Sequence, residues 1–405
     1  MEGDGVPRDG QVVPVIDVVI LGAARTPIGA YLGGLSSLSA PQLGAVAIRC
    51  ALERAGAKSS DVDEVYMGHA VQAGVGQAPA RQASLLAGVP ESVPCTTINK
   101  VCGSGLKSVM LASSQIKAGE ARLVVAGGME SMSNAPYLIR GARTGLRLGE
   151  HAMEDANLRD GLVDAHGHGH MGLCGEGTAE ACGLTREDQD EFALRSYEKA
   201  LRAQRGGWFD EEIVPVEIPG RKGEVTVVRT DETPRETSLE SLRALRPAFR
   251  SDGTITAGNA SKVNDGAAAL VVASRERAAA VGSRPIARVV AQAQFAREPE
   301  SFLLAPSGAV RSVLERAGWT IEATDLFEIN EAFSGIEGVR RELGIPEDRF
   351  NVNGGAVALG HPIGASGARL LVTLLYALRA RGLRRGVASL CLGGGEAVAL
   401  AVELE

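Results

Sequence analysis

Two kinds of apolar pattern take turns along this chain. From Pro41 to Ala55 the apolar residues recur at helical spacing and run into Gly56, a residue type that readily ends helices in the left-handed conformation. Beyond it Val65-Tyr66-Met67 is a short unbroken apolar run, read as a strand buried on both faces. Leu106, Val109, Met110 and Ile116 share one face of a second helix that stops at Gly119. Leu123-Val124-Val125-Ala126 then reads as a strand ending at Gly127-Gly128. The same order returns near the end of the chain as Val310 to Ala317, Leu326 to Ile329, Ala368 to Arg381 and Val387 to Leu392. Helices alternating with fully apolar strands predict an α/β protein whose helices cover both faces of mixed or mainly parallel sheets.

The return is a repeat with a fixed spacing. Leu52-Glu53-Arg54-Ala55-Gly56 recurs as Leu314-Glu315-Arg316-Ala317-Gly318, 262 residues on (314 minus 52). Asp63 and Asp325, each just before an apolar run, keep that spacing, and so do Ser104 and Ser366 in Gly103-Ser104-Gly105 and Ala365-Ser366-Gly367. One offset at three separate places implies two related halves packed as pseudo-twofold partners. Residues 129–262 lack the rhythm and carry more charge, Gly, His and Arg, so they read as a loop domain inserted into the first half. The expected boundaries are a tail over 1–13, a first half over 14–284 and a second over 285–405.

Composition narrows the function classes. The chain is 45% hydrophobic and 22% charged, which is globular. A net charge of −7 with both signs interspersed excludes a nucleic-acid partner. No apolar stretch of about 18 residues stands out as a membrane span, and Met1 to Gln11 is polar, unlike a signal peptide. Six cysteines without Cys-x-x-Cys pairing fit free thiols in a cytoplasmic protein.

Three glycine-rich segments carry candidate chemistry. Cys102, in Asn99-Lys100-Val101-Cys102-Gly103-Ser104-Gly105, sits where the chain enters a helix, so free N–H groups and the helix dipole would favour its thiolate. His361, in Gly360-His361-Pro362-Ile363-Gly364, leads into the helix that the repeat equates with the Cys102 helix, and a Cys–His pair makes a nucleophile at neutral pH. Cys391 ends an apolar strand just before Gly393-Gly394-Gly395, where backbone N–H groups can line a small cavity. Two sulfurs suit carbon–carbon bond formation: one holds an acyl group while the other moves a proton. Asn330, in Asn330-Glu331-Ala332-Phe333, offers an amide to a developing oxyanion. His166, His168 and His170 alternate without a Cys or acidic partner at fixed offset, so no metal site is assigned.

The segments around Cys102, Asn330, His361 and Cys391 resemble the four signature blocks of the thiolases. The likeness spans about Val18 to Leu400, through Arg25-Thr26-Pro27, Gly127-Gly128-Met129-Glu130-Ser131, Leu245-Arg246-Pro247-Ala248-Phe249 and Thr256-Ala257-Gly258-Asn259-Ala260-Ser261. It implies the thiolase fold, two halves stacked in five layers (αβαβα), and an acyltransferase acting on acyl-CoA, acetyl-CoA and CoA, with these thioesters as substrates and no cofactor. By the same resemblance Cys102 is the acylated nucleophile, His361 its base, Cys391 the acid/base at the α-carbon and Asn330 the holder of a water beside His361. The N–H groups of Cys102 and Gly393 form the oxyanion hole. His170, Met171, Arg235, Ser241, Ala257, Ser261, Phe302 and Phe333 contact the acyl group or the coenzyme, and the assembly is a homodimer or homotetramer. Phe302-Leu303 stands where many short-chain members have Met-Gly, so Phe302 is expected to reshape the acyl pocket. Acetyl transfer between CoA thioesters is the leading expectation, cleavage of longer 3-ketoacyl chains the alternative. A non-catalytic CoA-binding scaffold and a decarboxylating condensing enzyme fit the residues less well.

Overall fold

The computed structural model describes residues 16–220 and 223–405, so the tail assigned to 1–13 and the pair Arg221-Lys222 lie outside the described residues. In the first half the chain forms β1 (Val18–Arg25), α1 (Ala40–Ala55), β2 (Glu64–Gly68), α2 (Pro79–Leu86), β3 (Cys95–Ile98), α3 (Ser104–Ala118) and β4 (Leu123–Ser131). The inserted region, with helices α4 (Met171–Ala181) and α5 (Arg186–Arg205), precedes β5 (Asn264–Ser274). The second half runs β6 (Ala287–Ala296), α6 (Ala305–Ala317), β7 (Leu326–Ile329), α7 (Ile363–Arg381), β8 (Arg385–Leu392) and β9 (Glu396–Leu404).

The strands follow one hydrogen-bonded path, β7-β8-β9-β6-β1-β5-β4-β2-β3. Its midpoint is the edge contact of β1 with β6 at Val19↔Arg288 and Ile20↔Ala287, where the sheets of the two halves meet. Helices α3 and α7 lie between those sheets: Val109, Met110 and Ile116 share a buried cluster with Leu371, Leu374, Leu378 and with Val124, Leu390 and Val398 from the facing strands. Helix α1 covers the outer face of the first sheet. Helices α5 and α6 cover that of the second. The result is five layers, αβαβα.

The repeat is a repeat of hydrogen bonds as well as of letters. Asp63 Oδ2 accepts from the backbone N–H groups of Arg122 (2.8 Å) and Leu123 (2.9 Å), and Asp325 Oδ2 accepts from Arg384 (2.9 Å) and Arg385 (2.8 Å). Each aspartate therefore ties the start of one parallel strand to its neighbour. Gly56 and Gly318 close α1 and α6 in the left-handed conformation, at φ 62° and 67°.

Two expectations need correcting. Strand β4 does not stop at Gly127-Gly128 but continues to Ser131. A Cβ on Gly127 would lie 2.1 Å from the Ala268 carbonyl oxygen, and one on Gly128 2.1 Å from that of Gly364. These glycines permit close backbone approach inside a strand. The insertion accordingly begins after Ser131. Secondly, α7 has 19 residues and is apolar enough, by length and composition, to cross a membrane. Here it is the buried core helix, 83% of that window being enclosed, with Arg369 in its middle.

The central helices touch where they begin. A Cβ on Gly105 would meet the Ala368 nitrogen at 2.7 Å, and one on Gly367 the Leu106 nitrogen at 2.5 Å. Small residues here let the starts of α3 and α7 interlock, which brings the loops before them together. The substitution Gly128→Ala would drive a methyl into backbone that cannot rotate away, at an expected cost of about 3 kcal/mol. Urea unfolding should show a lower midpoint at unchanged slope, with lost activity because Gly364 opens the helix next to His361.

Candidate active site

Cys102 is held by a strained turn. Val101 has φ 47°, a left-handed conformation that a β-branched residue adopts only under constraint. The constraint is visible: Val101 N–H donates to Asn99 Oδ1 (3.0 Å), Ser104 Oγ donates to the Val101 carbonyl (2.6 Å), and Lys100 N–H donates to Ser104 Oγ (2.9 Å). Ser104 begins α3, so the strain positions the thiol at that helix start. The thiol is not a resting thiolate, contrary to the helix-dipole expectation. Burial raises its pKa from 9.0 to about 12, while N–H groups of Gly393 and of Cys102 itself pull the other way. That rise corresponds to roughly 4 kcal/mol, well above the 0.3–1 kcal/mol typical of a helix terminus. Cys102 therefore needs a base.

His361 is the candidate for that role. With Ser366 Oγ donating to the Pro362 carbonyl (2.9 Å), the same oxygen accepts from His361 Nδ1, 2.5 Å away. This fixes the hydrogen on Nδ1 and leaves Nε2 as the acceptor. Nε2 is buried and has no protein partner. Burial, aided by the charge of Arg369, lowers the imidazole pKa to about 3, so the ring is neutral at working pH. His361 N–H donates to Asn264 Oδ1 at 2.9 Å, which anchors the loop to β5. Asn330 is fully buried, and both of its amide atoms lack a protein partner. Buried amides are rarely left so, and an orphaned donor is what a substrate oxygen or an ordered water would use.

Cys391 lies fully buried in β8, its pKa pushed well above the ordinary thiol value, first by burial and then by Cys102. That Cys102 adds to this rise means the two cysteines, from opposite halves, lie near each other. The loop after Cys391 abuts the Cys102 turn: a Cβ on Gly103 would lie 2.6 Å from Leu392 Cδ2, and Lys100 pairs with Glu396. Gly393 faces Val101 and Met171, with room for a Cβ (3.7 and 3.9 Å).

The remaining candidates separate into two groups. Met171, Phe302 and Phe333 are buried in the cluster of the second half. His170 caps α4, its Nδ1 accepting from Gly172 N–H (3.0 Å), and stacks on Phe249 at 4.6 Å. Phe249 meets Phe333 edge-on at 5.9 Å, and Phe333 meets Phe302 at 6.4 Å. Met171, next to His170 at the start of this aromatic wall, faces Gly393. Arg235, Ser241 and Ala257 are exposed, and Ser261 is partly so. Ser241 N–H donates to Ser238 Oγ in a short helical cap, and Arg235 lies over the Tyr197 ring at 5.8 Å. An open pocket of about 580 Å³ beside Arg235 is lined by Tyr197, Arg202 and Arg205 as well. Lys262 links it to the site: Nζ donates to Tyr197 Oη (2.6 Å), while the Lys262 carbonyl accepts from His361 N–H (3.3 Å). Of the three alternating histidines, His168 turns to Asp164 (2.8 Å) and Glu300 (3.2 Å), away from the His170 stack.

Sequence reasoning missed Ser366 as the orienter of His361, although the repeat had singled it out. It missed Phe249, quoted only as part of a motif, and Ala260, which bridges to Phe333. It also missed Glu130, whose carboxylate accepts from Ala70 (3.0 Å), Val71 (3.2 Å) and Gly364 N–H (2.8 Å) and lies 2.9 Å from His69 Nε2. Glu130 thus ties the first half to the start of α7.

Comparison with known proteins identifies the family. The N-terminal thiolase domain matches residues 18–276 and the C-terminal thiolase domain residues 283–404. The chain belongs to the thiolase family. It is 52% identical over 389 residues to an acetyl-CoA acetyltransferase of Cupriavidus necator, covering 96% of this chain and 99% of that one. It is 51% identical over 386 residues to one of Pseudomonas aeruginosa, covering 95% and 98%. The crystal structure of the Bacillus anthracis acetyl-CoA acetyltransferase superposes with a TM-score of 0.94 at 42% identity, covering 96% and 99%.

Ser366→Ala should leave the fold intact, because the Pro362 carbonyl also accepts from the Ser366 N–H (2.9 Å). It frees the imidazole to take the wrong tautomer. Acylation of Cys102 should slow by on the order of 10²-fold, the lower range for a lost general base, as measured by rapid-quench CoA release.

Proposed function

We propose that the protein is an acetyl-CoA C-acetyltransferase that joins two acetyl-CoA molecules into acetoacetyl-CoA, or cleaves that product with CoA, through an acyl-Cys102 intermediate. The observation carrying this reading is the bare Nε2 of neutral, Ser366-locked His361 in a site that also holds two buried thiols. His361 Nε2 takes the Cys102 proton as the sulfur attacks the thioester carbonyl, then gives it to the departing CoA sulfur. The N–H groups of Cys102 and Gly393 receive the carbonyl oxygen of the acyl-enzyme. In the second step the Cys391 thiol first yields its proton to His361 Nε2, and the resulting thiolate takes a proton from the methyl group of a second acetyl-CoA. Its raised pKa suits it to a weak carbon acid. Protonated His361 and the Asn330 amide, directly or through a water, stabilise the enolate oxygen while the new carbanion attacks the acyl carbon and expels the Cys102 thiolate, which recovers its proton from His361.

Acetyl transfer is also the activity printed in the names of the full-length relatives. The Phe302–Phe333–Phe249 wall beside the site suits a short acyl group better than a long chain. The exposed cations Arg202, Arg205 and Arg235 beside Tyr197 suit the phosphates of CoA, with Ser241, Ala257 and Ser261 further along the coenzyme. A homodimer or homotetramer is proposed as well, since Tyr137, Leu146, Leu148 and Met153 are exposed apolar residues on one inserted segment.

Incubation with acetyl-CoA should add one acetyl group to Cys102, seen by intact-mass and peptide mass spectrometry and absent from Cys102→Ser. Cys391→Ala should still acquire the acetyl group yet make no acetoacetyl-CoA; condensation at the normal rate by that variant would remove Cys391 from the mechanism. In the cleavage direction acetoacetyl-CoA should turn over faster than 3-ketodecanoyl-CoA. A preference for the longer chain would overturn the short-chain reading.

A further inference from the structure

The two groups assigned to the enolate oxygen are held in different ways. His361 has anchors of its own: Asn264 at its N–H, Ser366 at Nδ1 and, three residues on, Glu130 at the N–H of Gly364. The Asn330 side chain has none, because both of its amide atoms lack a partner among the described residues. Its amide is therefore aimed by the main chain that carries it. That main chain leaves β7, which ends the sheet among the described residues and has β8 as its one strand neighbour. On the β8 side Asn330 N–H donates to the Ser389 carbonyl at 3.0 Å.

The open side is closed by one side chain, that of Asn351. Its Oδ1 accepts from Ile329 N–H (2.8 Å) and its Nδ2 donates to the Ile329 carbonyl (2.8 Å), the exchange that a neighbouring strand would make. The second Nδ2 hydrogen goes to Glu331 Oε1, also at 2.8 Å. The residues just before and just after Asn330 are thus fastened to a single amide, which is 1% exposed and has used both of its donors. Glu331 is fastened in turn, its Oε2 accepting from Ser196 Oγ on α5 (2.6 Å) and from Val357 N–H (3.2 Å). The backbone bends to deliver the Asn351 amide. Its φ of 42° is left-handed, with the Asn351 N–H donating to the Phe327 carbonyl (2.9 Å) and the Asn351 carbonyl accepting from Gly354 N–H (2.9 Å). Asparagine is one of the few side chains that takes this conformation readily.

We propose that Asn351 is a positioning residue for carbon–carbon bond formation: by holding Ile329 and Glu331 on either side of Asn330, it sets where the bare Asn330 amide meets the enolate oxygen. Acylation runs on Cys102, His361 and the N–H groups of Cys102 and Gly393, and only the second step adds Asn330. The anchors of His361, namely Asn264, Ser366 and Glu130, make no hydrogen bond with Asn351 among the described residues. Asn351 therefore acts on the second half-reaction and not on the first. The inference rests on the acyl-Cys102 reading and on the part given there to Asn330.

The test measures the half-reactions apart in single turnovers: CoA release from acetyl-CoA for the first, acetoacetyl-CoA formation by the isolated acetyl-enzyme for the second. Asn351→Asp keeps the size and the acceptor for Ile329 N–H, loses the amide donors and sets a carboxyl against that of Glu331. Its second step should slow by on the order of 10²-fold, the usual result of misplacing a group near the chemistry, while its first step stays near the wild-type rate. Asn351→Gly accommodates the left-handed backbone and removes the whole amide. It should show the same split, and it carries the test if Asn351→Asp does not fold. Because Asn351 acts through Asn330, the double variant Asn351→Asp/Asn330→Ala should be no slower in the second step than Asn330→Ala alone. A wild-type second step in either folded Asn351 variant, an equal loss in both steps, or losses that multiply in the double variant would each overturn the proposal. Wild-type condensation by Asn330→Ala, or no acetyl-Cys102 in the wild-type protein, would instead remove the reading beneath it. The single Asn330 variant and the mass measurement tell those failures from this one.

Discussion

The two helices in the middle of the molecule approach each other until neither can carry a side chain where they cross, and the site exists because they do. A Cβ at Gly105 or Gly367 would meet main-chain nitrogen of the other helix at 2.7 or 2.5 Å, and one at Gly128 would strike the carbonyl of Gly364 at 2.1 Å. Main chain cannot swing aside, so the spacing of α3 and α7 is set by atoms that every substitution would crowd. Since Cys102 precedes one helix and His361 the other, that spacing also sets how the Cys102 turn stands to the His361 loop. Glu130 adds a polar fastening by reaching from β4 to the first turn of α7. Charge at a helix N-terminus is favourable there, and its other oxygen is held by His69.

Within that frame the chemistry runs on buried neutral groups. Cys102 is a protonated thiol, His361 a neutral imidazole and Cys391 a thiol with a strongly raised pKa, each because burial penalises its charged form. A proton can then pass from sulfur to Nε2 without any group starting as an ion. In the proposed reaction the charge formed during transfer would meet N–H groups of Cys102 and Gly393, which are fixed by backbone rather than recruited from solvent. Preorganisation of this kind is the larger part of what such a site can contribute.

How far the letters foretold this differs from residue to residue. The halves were legible because a fixed offset of 262 residues is insensitive to the helix or strand reading of any one segment, and the cysteines and His361 because reactive side chains among glycines leave few other uses. The continuation of β4 was not legible: Gly127-Gly128 looks like a stop when only local backbone freedom is weighed, and the partner that demands the glycines, Gly364, is more than two hundred positions away. Helix termini suggested a thiolate at Cys102, and burial, which a lone sequence does not display, reversed it. The sites assigned by resemblance to the inserted region, such as Arg235 and Ser241, were placed by alignment alone, and the exposed conformations they take here reflect a segment with few buried contacts to fix it.

That last contrast follows from the architecture. The groups proposed to touch the reacting atoms sit at helix starts and strand ends of the five-layer core, where crowding allows little movement. Groups facing the acyl chain and the coenzyme, from His170 through Phe249 to Arg235, belong to the insertion, which rests on the second half through Phe333 and Phe302. A change in the core alters rate for every substrate, because it moves Cys102 relative to His361. A change in the insertion alters which thioester is held, because the aromatic wall can shift without moving either helix. One scaffold can therefore keep its proton transfers constant while the depth of its acyl pocket varies.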